Sequence, residues 1–173
     1  MRKLVLHPGC SAGPIEPVTA SLTPTEQGCS TEFRLHGDIS RIKVPVNTAS
    51  VREDFLWKTT CFEIFWRPDG GQWYREFNLS PSSKWACYDF DDFRLNSRDG
   101  PVEAISVESS HTETELVLRA SIASELDDPA QVALNAIVED LEGNIQFWAL
   151  AFPDGKPEFH SEACRQLSVE RGS

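Results

Sequence analysis

Glu63 and Glu76 stand among bulky rings on either side of a turn, in the run LWKTTCFEIFWRPDGGQWYREFNL. Taking a charge out of water costs several kcal/mol unless it is paired or hydrogen-bonded. Carboxylates in such company therefore suggest a polar site. Thr60 to Arg67 and Trp73 to Leu79 are dense in β-branched and aromatic types and read as strands. The intervening PDGGQ carries Asp-Gly and Gly-Gly, both hairpin signals. With Trp66 facing Trp73 at the base of that loop, Glu63 falls opposite Glu76, Ile64 opposite Arg75 and Phe62 opposite Phe77. Facing positions of an antiparallel pair put Cβ atoms about 4.5–5.5 Å apart. Like charges at that range raise one pKa unless an arginine or a metal answers them. Arg34, Arg75, Arg94 and Arg119 lie in or beside strands, and Arg94, closing the FDDFR run, is the expected partner.

Three chemistries fit such a pair. A buried Glu-Arg network could hold sheet register, or the same network could form the floor of a ligand site. The third is general acid and base work of the glycosidase kind, which wants carboxyls about 5–9 Å apart across a cleft. No cleft is evident from the sequence. Five tryptophans among 173 residues can fill a core, yet an indole plane also stacks on the C–H face of a sugar ring while Asn, Glu and Arg meet its hydroxyls. Trp57 follows an acidic turn and is the expected exposed ring, with Trp85, after SPSSK, the next. Trp66 and Trp148 read as core.

Other signals are weaker. Asp89, Asp91 and Asp92 flank Phe90 and Phe93, and clustered carboxylates near a turn can take Ca²⁺; without EF-hand spacing a solvated turn is the simpler reading. The four histidines, at 7, 36, 111 and 160, form no metal-ligand spacing. His160, in PEFHSEAC, has the most ordered context and reads as a buried structural histidine. No GxSxG, phosphate-binding loop or dinucleotide fingerprint occurs. The expected catalytic, metal and cofactor sets are empty.

Five scattered cysteines without a CxxC fit free thiols in a reducing cytosol better than a disulfide framework or a zinc site. A formal charge of −11 with no basic patch argues against nucleic acid. Leu4 to Leu6 is too short for a signal-peptide core, and no run approaches the roughly 18 apolar residues of a membrane helix. The expected setting is cytoplasmic, away from the membrane, with oligomeric state left open.

The elements that must position these residues are strands. Weaker candidates at 18–23, 31–39 and 41–46 precede the central hairpin, after a loop at 8–17. Trp85 to Phe90, Val102 to Ser109, Glu115 to Ile122, Gln131 to Glu139 and Asn144 to Ala151 follow it, with Ala130 to Leu141 also readable as a helix. About ten strands with short turns imply an all-β, antiparallel sandwich or barrel. The expectation is one domain over residues 1–168 and a flexible tail at 169–173.

At LWKTTCFEIF, WYREFNLSPSSKWACYDFDDFR, LNAIVED, NIQFWAL and PEFHSEAC the chain resembles DOMON-like proteins related to family 9 carbohydrate-binding modules. The resemblance covers about residues 56–164. It implies an antiparallel β-sandwich, immunoglobulin-like or jelly-roll-like, that holds sugars between aromatic rings. Carried over by motif, Glu63, Glu76 with Asn78, Trp85 and Arg94 join Trp57 as the ligand-binding set. Broader relatives hold haem through Met and His, but Met1 is the sole methionine here. The implied function is non-catalytic binding of a small carbohydrate or glycan end. The alternatives are a structural or protein-interaction sandwich, or, more distantly, a glycoside hydrolase.

Overall fold

Period-two burial runs through Gly28–Gly37 (β4) and, from Leu118 onward, through Glu115–Ala123 (β10), where Val117 is covered as well. Phe33 and Leu35 point into the protein while Glu32, Arg34 and His36 point out, and Leu116, Leu118 and Ile122 do the same on the neighbouring strand. A sheet with one wet face needs this alternation. In the computed structural model, which describes residues 1–171, these strands sit at the centre of a five-stranded sheet. Its other members are Arg2–Lys3 (β1), Ile15–Thr25 (β3) and Ala104–His111 (β9), in the order β1-β3-β4-β10-β9.

The second sheet runs Val5–Leu6 (β2), Ile145–Ala149 (β12), Ala130–Glu139 (β11), Cys61–Pro68 (β5), Tyr74–Leu79 (β6), Trp85–Phe90 (β7) and Arg98–Asp99 (β8). Leu167–Val169 (β13) also pairs with β11. Every strand pair in both sheets is antiparallel. The fold is the all-β antiparallel sandwich that the turn-rich strand pattern called for.

Between the sheets, Phe62, Ile64, Trp66, Phe77 and Leu79 meet Phe33, Leu35, Leu116 and Leu118, all fully buried. Each such side chain contributes about 1.5–3 kcal/mol by leaving water. Phe33 and Phe62 join the two layers with ring centroids 4.9 Å apart. Trp66 satisfies its indole N–H on the Asp127 carbonyl at 2.7 Å. At one end of this core Arg75 donates to both carboxylate oxygens of Asp89 at 2.6 and 2.8 Å, and to Ser124 Oγ and the Glu125 carbonyl. That buried pair ties β6 and β7 to the loop after β10 in the opposite sheet.

Strands β5 and β6 are buried on both faces, which explains their continuous apolar and aromatic runs. The segment after β12 folds over the outer face of the second sheet, and its Phe159 and Cys164 pack with Phe65, Tyr74, Phe90 and Ile137. A polar pocket is embedded in this outer layer.

Several expectations need correction. Trp66 pairs with Arg75, Ile64 with Phe77 and Glu63 with Asn78, so the hairpin is displaced by two residues from the facing Trp66–Trp73 arrangement. The loop is longer than its Asp-Gly signal suggested. The 41–46 segment is not a strand: after a 3₁₀ turn at Ile39–Arg41 the chain crosses between the sheets. There the Lys43 N–H to Glu139 and the Leu141 N–H to Arg41 carbonyl take the place of a ladder. Strand β3 starts at Ile15, inside the expected loop, whereas Ala130–Glu139 is the strand expected over Gln131 to Glu139 and not the alternative helix. In the expected tail, Val169 pairs with Ala130 and Arg171 bonds to Asp128; positions 172 and 173 lie outside the described residues.

Candidate functional site

Facing residues of antiparallel strands share a sheet face. Asn135, Glu63 and Asn78 therefore form one row across β11, β5 and β6, and Ala133, Phe65, Glu76 and Tyr88 form the next across β11 to β7. Both rows are on the outer face. Glu63 is 3% exposed, Glu76 6%, and Asn78 and Asn135 are fully enclosed. The side-chain oxygen and nitrogen of both asparagines have no hydrogen-bond partner among the described residues. Each unmet buried polar group costs about 1–3 kcal/mol, which marks this row as something other than ordinary core.

Above the two glutamates opens a pocket of about 510 Å³. Tyr88 and Phe90 from β7, Ile137 from β11 and Phe147 from β12 supply its sheet-side walls. The segment Pro157–His160 arches over one side, and Asp54, Phe55 and Trp57 form the opposite rim. Trp57 sits on a single 3₁₀ turn, Leu56–Lys58, with 47% of its surface exposed, and Phe55 beside it is 61% exposed. Phe55 holds a left-handed backbone (φ 64°) and turns its ring toward Trp57, centroids 6.4 Å apart.

His160 is locked from three sides. Its ring meets Phe65 and Phe90 edge-on at 4.9 and 5.0 Å between centroids. Its Nδ1 is 2.7 Å from the Tyr74 hydroxyl. That hydroxyl accepts the Arg94 backbone N–H at 3.1 Å and so is left to donate to Nδ1. Burial and the nearby Arg94 bring the His160 pKa down to about 4, so the ring is neutral at pH 7. With Nδ1 accepting, the proton resides on Nε2, which is 3.7 Å from Glu76.

Both glutamates hold their protons more tightly than an exposed carboxyl. Burial raises Glu63 well above the usual range, the Glu76 charge adds to that, and Arg94 opposes it. Burial brings Glu76 up to about 7, with Asn78 and Arg94 pulling the other way. The Asn78 amide lies close enough to favour ionised Glu76 but does not reach hydrogen-bond geometry. No ion pair with an arginine or lysine neutralises either carboxyl among the described residues.

Of the residues expected to bind ligand, Trp57, Glu63, Glu76 and Arg94 come together around this pocket. Asn78 lies in the floor row beside Glu63 and is closed off from the opening. Trp85 is elsewhere: it pairs with Leu79 on the inner face of β7 and packs against the inter-sheet core. Arg94 reaches the glutamates only through its charge and forms no ion pair with either, because Glu158 takes its guanidinium through two bonds at 2.8 and 3.2 Å. The aspartates near residue 90 diverge: Asp89 turns inward to Arg75, while Asp91 binds Arg98 and Asn96. Among the described residues no three His, Cys, Asp or Glu side chains converge as a metal site, and no helix is long and apolar enough to cross a membrane.

Tyr88, Phe90, Asn135, Phe147 and Phe159 were not anticipated as site residues. Tyr88 and Phe90 could have been found by alternation along WACYDF. Phe147 and Phe159 could not, because their place depends on how distant segments fold over the sheet.

No family model matches the sequence, and a search among curated proteins gave no match. Among solved structures, the chain is similar to a candidate carbohydrate-binding protein of Bacteroides uniformis ATCC 8492. The TM-score is 0.59 at 13% identity, over 89% of this chain and 78% of that one. At that identity the likeness concerns architecture, and the two proteins share a β-sandwich fold.

Proposed function

We propose that the chain is a non-catalytic binding module for a small carbohydrate or glycan end, akin to DOMON-like proteins related to family 9 carbohydrate-binding modules. The observation that carries this reading is the pocket itself. Two carboxyl groups without a cationic partner form its floor, aromatic rings form its walls, and an exposed tryptophan stands at its mouth. A sugar presents matching chemistry: hydroxyls donate to carboxyl oxygens while the C–H face stacks on an indole plane. Pockets that bind small molecules commonly combine apolar walls with a few converging polar groups, and about 510 Å³ is in their size range.

The same geometry argues against glycoside hydrolysis. An acid and a nucleophile must bracket the scissile bond from opposite sides. Glu63 and Glu76 instead rise from neighbouring strands of one sheet and approach a ligand from a single side. Calorimetric titration of mono- and oligosaccharides tests the proposal, with Trp57→Ala and Glu63→Gln as comparison variants. Saturable binding that both variants weaken is the expected result. Absence of saturable binding at millimolar sugar, with folded protein, would reject it.

A further inference from the structure

The charge arrangement of this pocket, taken with the carbohydrate reading on which the inference rests, narrows the ligand class. Glu63 and Glu76 face the opening from β5 and β6. Among the described residues no cation forms an ion pair with either carboxyl, and Arg94, which also lines the pocket, acts on both only at a distance. Arg94, in the loop after β7, is held by Glu158 from the overlying segment. Arg52 binds Asp54 and Asp99 at the rim, and Arg165 donates to the His160 carbonyl while lying over the Tyr74 ring. Lys58 is stationed over Phe55 and Trp57 outside the floor. His160 is neutral and Tyr88 donates its hydroxyl to Asp54. Among the described residues, then, no cation is bound to the two floor carboxyls.

A second observation points the same way. Glu63 and Glu76 are themselves more than nine-tenths buried and line the pocket without a hydrogen-bonded cation, so the floor is polar and incompletely satisfied without a guest. Phe90, Phe147 and Tyr88 line the walls, with Phe90 stacked on Tyr74 and the Arg52 guanidinium already over the Tyr88 ring. We infer that the preferred ligand is an amino sugar whose free, protonated amine sits against Glu63 and Glu76 while its ring lies toward Trp57. An ammonium group would supply the missing partner and hold a carboxylate in its ionised form. Because Glu76 ionises near pH 7, bringing in the cation releases a proton below that pH. Affinity for the amine therefore rises from pH 5.5 toward pH 7.5, whereas affinity for a neutral sugar does not follow that course.

Calorimetry with glucosamine, glucose and N-acetylglucosamine, each at pH 5.5 and 7.5, tests this. At pH 7.5 glucosamine should bind at least about tenfold more tightly than the other two, the equivalent of one pKa unit of carboxyl stabilisation. The preference should shrink at pH 5.5. Glu76→Gln should abolish it, and Glu63→Gln provides an independent check should that variant fold poorly. Binding of glucose or N-acetylglucosamine at least as tight as glucosamine would overturn the amine preference and leave the carbohydrate site standing. A glucosamine preference unchanged by both substitutions would place the attraction in the protein's general charge of −11 and would also overturn it. Failure of all three sugars to bind would overturn the carbohydrate site together with this inference.

Discussion

Replacing Glu76 by glutamine should stabilise the protein, and by an amount that depends on pH. The unfolded carboxyl ionises near pH 4.5, whereas in the folded protein burial defers ionisation to about pH 7. Between those values the unfolded chain binds fewer protons than the native one, so native stability falls as pH rises and levels off above the folded pKa. A rise from 4.5 to about 7, at about 1.36 kcal/mol per unit, corresponds to ~3 kcal/mol. Glutamine is nearly isosteric and does not titrate. Glu76→Gln should match the wild type near pH 4.5 and exceed it by ~3 kcal/mol at pH 8. Urea denaturation at pH 4.5, 6 and 8 measures the difference directly. The contribution of His160 has the opposite sign: its pKa is lowered from 6.5 to about 4, so that stability is present above pH 6.5 and lost as pH falls through about 4. This term is present in both proteins and largely cancels in the comparison. A variant no more stable than the wild type at pH 8, or a difference that does not change with pH, would refute the picture of a buried carboxyl without a cationic partner.

Other perturbations separate the parts of the structure. Asp89→Asn should cost about 3–5 kcal/mol in denaturant melts, because it leaves the Arg75 guanidinium buried without its anion; a cost below about 1 kcal/mol would mean the pair is solvated. Gly37 has φ +136° and a Cβ there would come within 2.1 Å of the Pro14 carbonyl oxygen, so Gly37→Ala should lower stability by about 1–3 kcal/mol or more. An unchanged melting midpoint would contradict it. Trp57→Ala should leave stability within about 1 kcal/mol, since almost half of the ring is already in water. The same substitution should weaken sugar binding measured by calorimetry, and a loss of several kcal/mol of stability would show Trp57 to be core.

The sequence carried the sandwich because its determinants are local. Alternation in FRLH and LVLRA, and the Asp-Gly and Glu-Gly-Asn turns, act within a few residues. Register is a longer-range property, and the displacement at Trp66 and Arg75 shows how little a loop sequence constrains it. Because the displacement is two residues, a full side-chain repeat, Glu63 and Glu76 keep their common face even though they are diagonal neighbours rather than a facing pair. The grouping of glutamates was legible for that reason, while the identity of their neighbours was not. Arg94 illustrates the limit: its partner Glu158 is 64 residues away on a segment that shows no regular pattern. Trp85 illustrates another, since one position along β7 decides between the pocket face of Tyr88 and the core face of Cys87.

The most direct measurement is a crystal structure of the protein soaked with a mixture of neutral and amino sugars. A sugar ring stacked against Trp57, with a hydroxyl or amine within hydrogen-bond distance of Glu63 or Glu76, is the predicted result. Sugar bound only at other surfaces, or an outer-face pocket closed by its own side chains at saturating ligand, would contradict the account.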